Sequence, residues 1–230
     1  MIDLKINKLC NKFFVIISVL SMCLCFVATI VKVKAIKNEF LSVFGKVIYI
    51  DAGHGGKDNG AAVDGVMEDS INMAISKYLL EGLLNLGAYT LMSRTSDYDL
   101  ADLYDKNRKS ADLKKRVENV NVSRPDVFIS IHLNTFPSNK VKGPQVFHQN
   151  NENSKKLSEY IQQRMNTLTN TTRKTKLGDY YILNKTKATG VLIECGFLSN
   201  NEERSKLNEN KYQKKIADTI ILAIVDYFNM

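Results

Sequence analysis

Beyond its first 35 residues this 230-residue chain has a single cysteine, Cys195. No disulfide can form within that body, which excludes a small secreted module stapled by cross-links and leaves a hydrophobic core to supply stability. Prolines are few, with only three in the chain. No Pro/Gly-rich linker, low-complexity run or repeat period divides the body, so a string of modules is excluded too. Charge is modest. The net charge of +8 shrinks to 27 basic against 23 acidic residues once segment 1–35, with five lysines and one aspartate, is set aside. The basic residues are scattered rather than clustered with aromatics, which speaks against a nucleic-acid surface. A weakly cationic exported protein would be drawn to an anionic cell wall, though an ordinary solvated surface explains the charge equally well.

Segment 1–35 reads as an export signal. Lys5, Lys8 and Lys12 precede an uncharged run of 19 residues from Phe13 to Val31. Val33-Lys34-Ala35 then offers a small-residue cleavage site. The run is also just long enough to span a bilayer, so a retained N-terminal anchor is the alternative to a cleaved signal. The lysines in front place the N-terminus inside and the body outside. The remaining stretch, taken as 45–230, is long enough for one domain with a well-buried core.

Within the body, apolar runs alternate with helical periods. Strands are expected at Lys46–Ile50, Ala88–Ser93, Asp126–His132, Gln145–His148, Tyr180–Leu183 and Gly190–Glu194. Helices are expected at Glu68–Leu86, Leu100–Val120, Ser154–Leu168 and Lys211–Phe228. Such alternation predicts an α/β domain whose mostly parallel sheet is covered by helices on both faces. In these sheets sites gather where strands end, and His54, Glu68, His132 and Glu194 all fall at or just after strand ends.

The body has three histidines, His54, His132 and His148. A catalytic zinc ion takes three protein ligands, commonly imidazole and carboxylate, and keeps a fourth position open. His54 sits in a Gly-rich turn (GHGG), His132 ends the strand VFISIH, and Glu68 opens a helix, where a carboxylate suits the dipole. Glu194 ends the apolar strand VLIE, where burial without a partner or a reacting centre is costly. It is the candidate base that takes a proton from water and returns it to a leaving amine. Taken singly each residue has an ordinary structural explanation, and none of the spacings is an H-E-x-x-H pattern. His148, among polar residues at the end of a short strand, reads as structural or surface. The loop DAGHGGKDNG fails as a phosphate cradle, because Asp58 stands where the next glycine is needed and no helix opens directly after it.

IDAGHGGKDNGA, Glu68, Ser93-Arg94, FISIHLN and VLIECGFLSNNEE together resemble the zinc-dependent N-acetylmuramoyl-L-alanine amidases of the amidase type 3 family, from about Lys46 to Phe228. The resemblance implies a single α/β domain with a six-stranded, mostly parallel sheet flanked by helices. It also implies zinc held by His54, Glu68 and His132, with Glu194 as the catalytic carboxylate. By the same resemblance Asn134 lines the substrate, and Arg94 and Arg116 match arginines of the family pattern in a structural or substrate-orienting role; the three make up the expected substrate-binding set. The implied reaction cuts the amide between N-acetylmuramic acid and L-alanine in peptidoglycan.

A signal or anchor followed by a bare catalytic domain is similar to the sporulation members, which trim spore cortex peptidoglycan for later germination. With no wall-binding module in view, a separate localising or activating protein is an expected partner. Two alternatives share the residues: a non-catalytic peptidoglycan-binding protein on the same fold, and a zinc peptidase cutting within the stem peptide. Cys195, beside Glu194, is expected to be a small buried residue at a turn rather than a redox-sensitive thiol.

Overall fold

The computed structural model describes residues 17, 20–29 and 42–230. It divides into two units, Met1–Leu41 and Ser42–Met230, and each is described by itself. In the first, residues 20–29 are helical and exposed. Among the described residues no helix is long and apolar enough to cross a membrane. Most of the expected export segment 1–35, including its cleavage site, lies outside the described residues.

The second unit begins with strand β1 (Val47–Ala52) and a two-residue hairpin, β2 (Ala62–Val63) with β3 (Val66–Met67). Helix α1 (Glu68–Asn85), β4 (Tyr89–Met92), α2 (Arg108–Ser123) and β5 (Val127–Asn134) follow. Then come β6 (Gln145–His148), α3 (Glu152–Thr169), β7 (Lys176–Leu177), α4 (Tyr181–Lys185), β8 (Thr189–Phe197), α5 (Asn201–Leu207) and α6 (Asn210–Phe228). Six strands form one sheet in the order β4-β1-β5-β8-β6-β7. The first four run parallel, while β6 pairs antiparallel with β8 and carries β7 alongside it. This is the mostly parallel α/β sheet that the sequence predicts.

Two-residue periodicity sorts the strands' apolar residues to opposite faces. Ile48, Ile50, Ile129, Ile131, Val191 and Ile193 join a large cluster with Ile75 and Leu79 of α1, Leu157 and Ile161 of α3, and Ile216, Ile220 and Ile224 of α6. Tyr49, Phe128 and Leu192, the residues between, bury on the other face against Val117 and Val120 of α2 and Ile182 and Leu183 of α4. Burial on both faces is why the central strands read as unbroken apolar runs rather than as alternating ones.

Two expectations are corrected. The helix expected from Leu100 starts at Arg108, because Asn107 caps it by accepting from the Ser110 amide. Ahead of that cap, Leu103, read as an apolar point of the helical stripe, is 81% exposed, as is Tyr104 beside it at 90%. The strand expected at Tyr180–Leu183 is the helix α4, and the sheet's outermost strand is Lys176–Leu177 instead. So short an apolar run cannot be told from one turn of buried helix by periodicity. The β2–β3 hairpin and α5 carry too few residues to show a period and were not expected from the sequence.

Candidate metal centre and active site

The carboxyl ends of β1, β5 and β8 lie side by side in the sheet, and each delivers one expected site residue into the loop beyond or the last strand positions. β1 runs into the loop 53–60. Its first residue must be small, since a Cβ on Gly53 would stand 2.3 Å from the His132 imidazole. His54 then takes a left-handed backbone conformation, with φ of 60°. A non-glycine residue holds that conformation only where the surroundings over-determine it.

Two buried arginines do so from beneath. Arg94 donates to the carbonyls of Ala52 (3.0 Å), Gly53 (3.0 Å) and Asp69 (2.7 Å). Arg116 donates to the carbonyls of Ala52 (2.8 Å) and His54 (2.6 Å), and pairs with Asp51 and Asp112 at 2.7 Å each. Ser130 of the neighbouring strand completes the Asp51 carboxylate at 2.7 Å. Burial by itself would raise the Asp51 pKa; Arg116 and Ser130 outweigh it and hold the carboxyl below its usual range. Arg94 and Arg116 are 1% and 2% exposed. Of the roles expected for them, the structural one fits this position: their donors are engaged with the loop and its aspartates, and neither guanidinium reaches the surface where a substrate would lie.

The other end of the loop caps α1. The Glu68 and Asp69 amides donate to the Ala61 and Asn59 carbonyls, and Glu68 Oε2 accepts from the Ala61 amide at 2.8 Å. This fixes Glu68 as the first residue of the helix, with its carboxylate turned back over the loop. A Cβ on Gly60, itself at φ 65°, would meet that carboxylate at 2.5 Å. Glu68 Oε1 accepts from the Leu133 amide at 3.1 Å and from Asn72, one helical turn on, at 3.3 Å. The same oxygen stands 3.2 Å from His54 Nε2 and 3.1 Å from His132 Nδ1. The two imidazoles meet edge to face with centroids 5.0 Å apart. One ligand atom from each of His54, Glu68 and His132 lies within 4.8 Å of the others, so the three form a group that could hold a metal ion.

Electrostatics tie this group together. Burial alone would raise the Glu68 pKa, but hydrogen bonds with His132 and His54 dominate and hold it far below the usual carboxylate range. His54 shifts the other way. Burial lowers its pKa, yet the hydrogen bonds and charges of Glu68 and Asp58 carry it up to about 9. Two nitrogens of one ring face acceptor-only carboxylates, which favours a proton or another cation at each.

Glu194 completes the constellation. It is paired with His132 in the β5–β8 register and is 7% exposed. Its Oε2 is buried with no hydrogen-bond partner among the described residues. Burial pushes its pKa up to about 7, with the Glu68 charge adding to the rise and the two histidines opposing it. Asn134 follows His132 by two residues, across an irregularity in the β5–β8 pairing, and is half-buried at the strand end. His148 stands apart: its Nδ1 lies 2.8 Å from the Gln149 carbonyl, in keeping with the structural role expected for it. Cys195 is buried, and burial raises its thiol pKa well above the ordinary range, so it behaves as a core residue.

Residues that sequence reasoning passed over are those that hold the ligands rather than form the set. Asp58 lies in the Gly-rich loop and Asn72 one turn along α1 from Glu68; a spacing of four on a helix was the available signal for the second. Asp51, Ser93 and Ser130 lie inside the motifs, but their role does not show in the chain: Arg116 donates to Asp51 and Ser93, and Ser130 donates to Asp51, across 65, 23 and 79 positions.

Fold and site together define a class: an α/β domain with a candidate metallohydrolase centre at the carboxyl ends of its parallel strands. Residues 48–226 match the family described as N-acetylmuramoyl-L-alanine amidase. A relative 42% identical over 195 residues, covering 82% of each chain, is the germination-specific N-acetylmuramoyl-L-alanine amidase of Bacillus subtilis (strain 168). Among solved structures, the CwlD amidase of Clostridioides difficile, determined in complex with the GerS lipoprotein, is 36% identical with a TM-score of 0.77, over 80% of this chain and 98% of that one. An N-acetylmuramoyl-L-alanine amidase from Clostridium difficile 630 is 28% identical with a TM-score of 0.72, over 80% and 96%. The chain belongs to the N-acetylmuramoyl-L-alanine amidase family, enzymes that hydrolyse the bond joining N-acetylmuramic acid to L-alanine in peptidoglycan.

Proposed function

We propose that this chain is a zinc-dependent amidase of spore cortex peptidoglycan, with His54, Glu68 and His132 as metal ligands and Glu194 as the catalytic carboxylate. The observation that carries the reading is a three-ligand group set beside a buried carboxylate oxygen that has no hydrogen-bond partner among the described residues. The residues fit zinc by their chemistry: two imidazoles and one carboxylate leave a coordination position free. Zinc bound there supplies Lewis-acid polarisation of the scissile carbonyl and a lowered pKa for attacking water.

The protein's own part is proton movement and placement. Glu194, with a pKa near 7, accepts the proton that water loses as it attacks the carbonyl. It then delivers that proton to the nitrogen of L-alanine, so the C–N bond breaks with a neutral amine leaving. Asn134, at the rim, lines the approach of the substrate.

Similarity to a germination-specific amidase supports the spore cortex as the setting, with processing during sporulation. Export through segment 1–35, cleaved or retained as an anchor, belongs to the same proposal. The CwlD structure with a lipoprotein supports a protein partner for this chain as well, one that localises or activates it.

Mass spectrometry of peptidoglycan fragments tests the reading. Incubation with the domain is expected to release stem peptides that begin with L-alanine, and added chelator to abolish them. Shortened stems would mean a peptidase. Turnover that survives complete metal removal would remove zinc from the mechanism.

A further inference from the structure

The loop that presents His54 also carries Asp58, and the two are locked face to face. Asp58 and Gly55 exchange backbone hydrogen bonds, 2.8 Å from the Gly55 amide and 3.2 Å from the Asp58 amide. Asp58 Oδ1 accepts from the Gly60 amide at 3.1 Å, which leaves Oδ2 free to turn inward. Oδ2 lies 3.1 Å from His54 Nδ1, while His54 Nε2 faces Glu68 Oε1 at 3.2 Å. Lys109, at the start of α2, approaches Oδ2 from outside at 3.5 Å and favours its ionised form. An ionised carboxylate only accepts hydrogen bonds, so the proton on Nδ1 is fixed by Asp58 and Nε2 is the nitrogen left for a cation.

We infer that Asp58 is a positioning residue for the metal centre, holding His54 in the tautomer and ring orientation that present Nε2 to the ion. The inference rests on the zinc reading above. Its physical need is specific to this ligand. His54 sits on a left-handed backbone at the tip of a glycine turn, where Gly53, Gly55 and Gly56 offer no side chains to pack against the imidazole. The arginines below restrain its carbonyl but not its ring. Glu68 is restrained differently, by two backbone amides and Asn72. Besides the other two candidate ligands, Glu68 and His132, the Asp58 carboxylate is the group that orients the His54 ring, and outer partners of this kind sustain metal affinity by their effect on the ligand's direction and basicity.

The test is a zinc titration of the purified full chain against a chromophoric chelator, with no substrate present. Asp58→Ala is expected to weaken zinc binding roughly 10- to 100-fold. Asp58→Asn keeps the side-chain shape but can accept only one of the two hydrogen bonds, from Gly60 or from His54, and should lose affinity as well. Lys109→Ala, which leaves the His54 contact in place, should stay within about threefold of wild type, inside the usual scatter of exposed-pair effects. The melting temperature of the metal-free proteins separates a merely structural role, which would lower it and leave the zinc Kd alone. Independently of any variant, nitrogen-15 shifts of His54 in the zinc-loaded wild type should place the proton on Nδ1. A proton on Nε2, or Asp58 variants that bind zinc as the wild type does, overturns the inference while leaving the zinc reading intact. A wild type that takes up no zinc overturns both.

Discussion

The two sides of the site are built on opposite principles. On the side of β1 and α1, the groups that place the candidate ligands are hydrogen-bonded: Arg94 and Arg116 fix the loop, backbone amides fix Glu68, and the loop itself caps the helix. On the side of β8, Glu194 Oε2 is buried with no hydrogen-bond partner among the described residues. The first side holds geometry. The second accepts the penalty of a buried carboxylate without a hydrogen-bond partner on Oε2, which pushes the Glu194 pKa up to about 7, in the range that suits the acid–base role proposed for it. The candidate metal ligands are placed by satisfied contacts, while the carboxylate proposed to act with them lies one strand away without one.

The largest effects should come from removing either side outright. His54→Ala or His132→Ala is expected to abolish both bound metal and turnover, read by metal analysis and product release. Glu194→Gln should keep the metal yet lose roughly 10²- to 10⁴-fold in turnover, the range of general acid–base catalysis. Full activity in Glu194→Gln would dissolve the contrast between the two sides.

Next in size is Arg116→Met, which leaves Asp51 buried and unpaired. Breaking a buried pair from one side costs about 3–5 kcal/mol, so thermal denaturation should show a fall of roughly 10 °C for a domain of this size. The same network predicts acid lability. Asp51 has a folded pKa below its unfolded value, so its contribution is complete above the unfolded pKa and is lost as pH falls through the folded one. Unfolding followed below about pH 4 should therefore show a stability loss in the wild type that Asp51→Asn, already destabilised, largely lacks.

Glu194 should behave with the opposite sign. Its folded pKa is raised, so the folded state holds the proton more tightly and stability falls as pH rises from the ordinary carboxylate range to about 7. In metal-free protein, Glu194→Gln should melt higher than wild type at pH 8, by roughly 5 °C, and scarcely differ at pH 4.5. Equal melting at both values would show that Glu194 is not held at a stability cost. The smallest effect is expected for Leu103→Ser with Tyr104→Ser: both side chains are almost fully exposed, so stability should change by no more than about 0.5 kcal/mol.

These contrasts follow the boundary of what could be read from the chain. The strands β1, β5, β6 and β8 and the helices α1, α3 and α6 were legible because each is long enough or apolar enough to show its period. That His54, Glu68, His132 and Glu194 come together was legible because they stand at strand ends or a helix start, in motifs that resemble a known family. The stretch 100–107 misled, since Leu103 mimicked a helical stripe that Asn107 forbids. Tyr180–Leu183 misled for a different reason: with Ile182 and Leu183 both buried, four residues carry no period to distinguish one turn of helix from a strand.

By itself the sequence determined the α/β class, the alternation of buried elements and the identity of the residues that meet at the sheet's carboxyl edge, because those depend on local periodicity and on motifs within a few residues of each other. Only the tertiary structure decided what surrounds them. Arg116 reaches Asp51 across 65 positions, Glu68 reaches His132 across 64, and the burial and the His132, Glu68 and His54 charges that set the Glu194 pKa come from elements far apart in the chain. Ligand direction, backbone strain at His54 and the charge state of Glu194 are properties of packing and dielectric, which no residue carries alone.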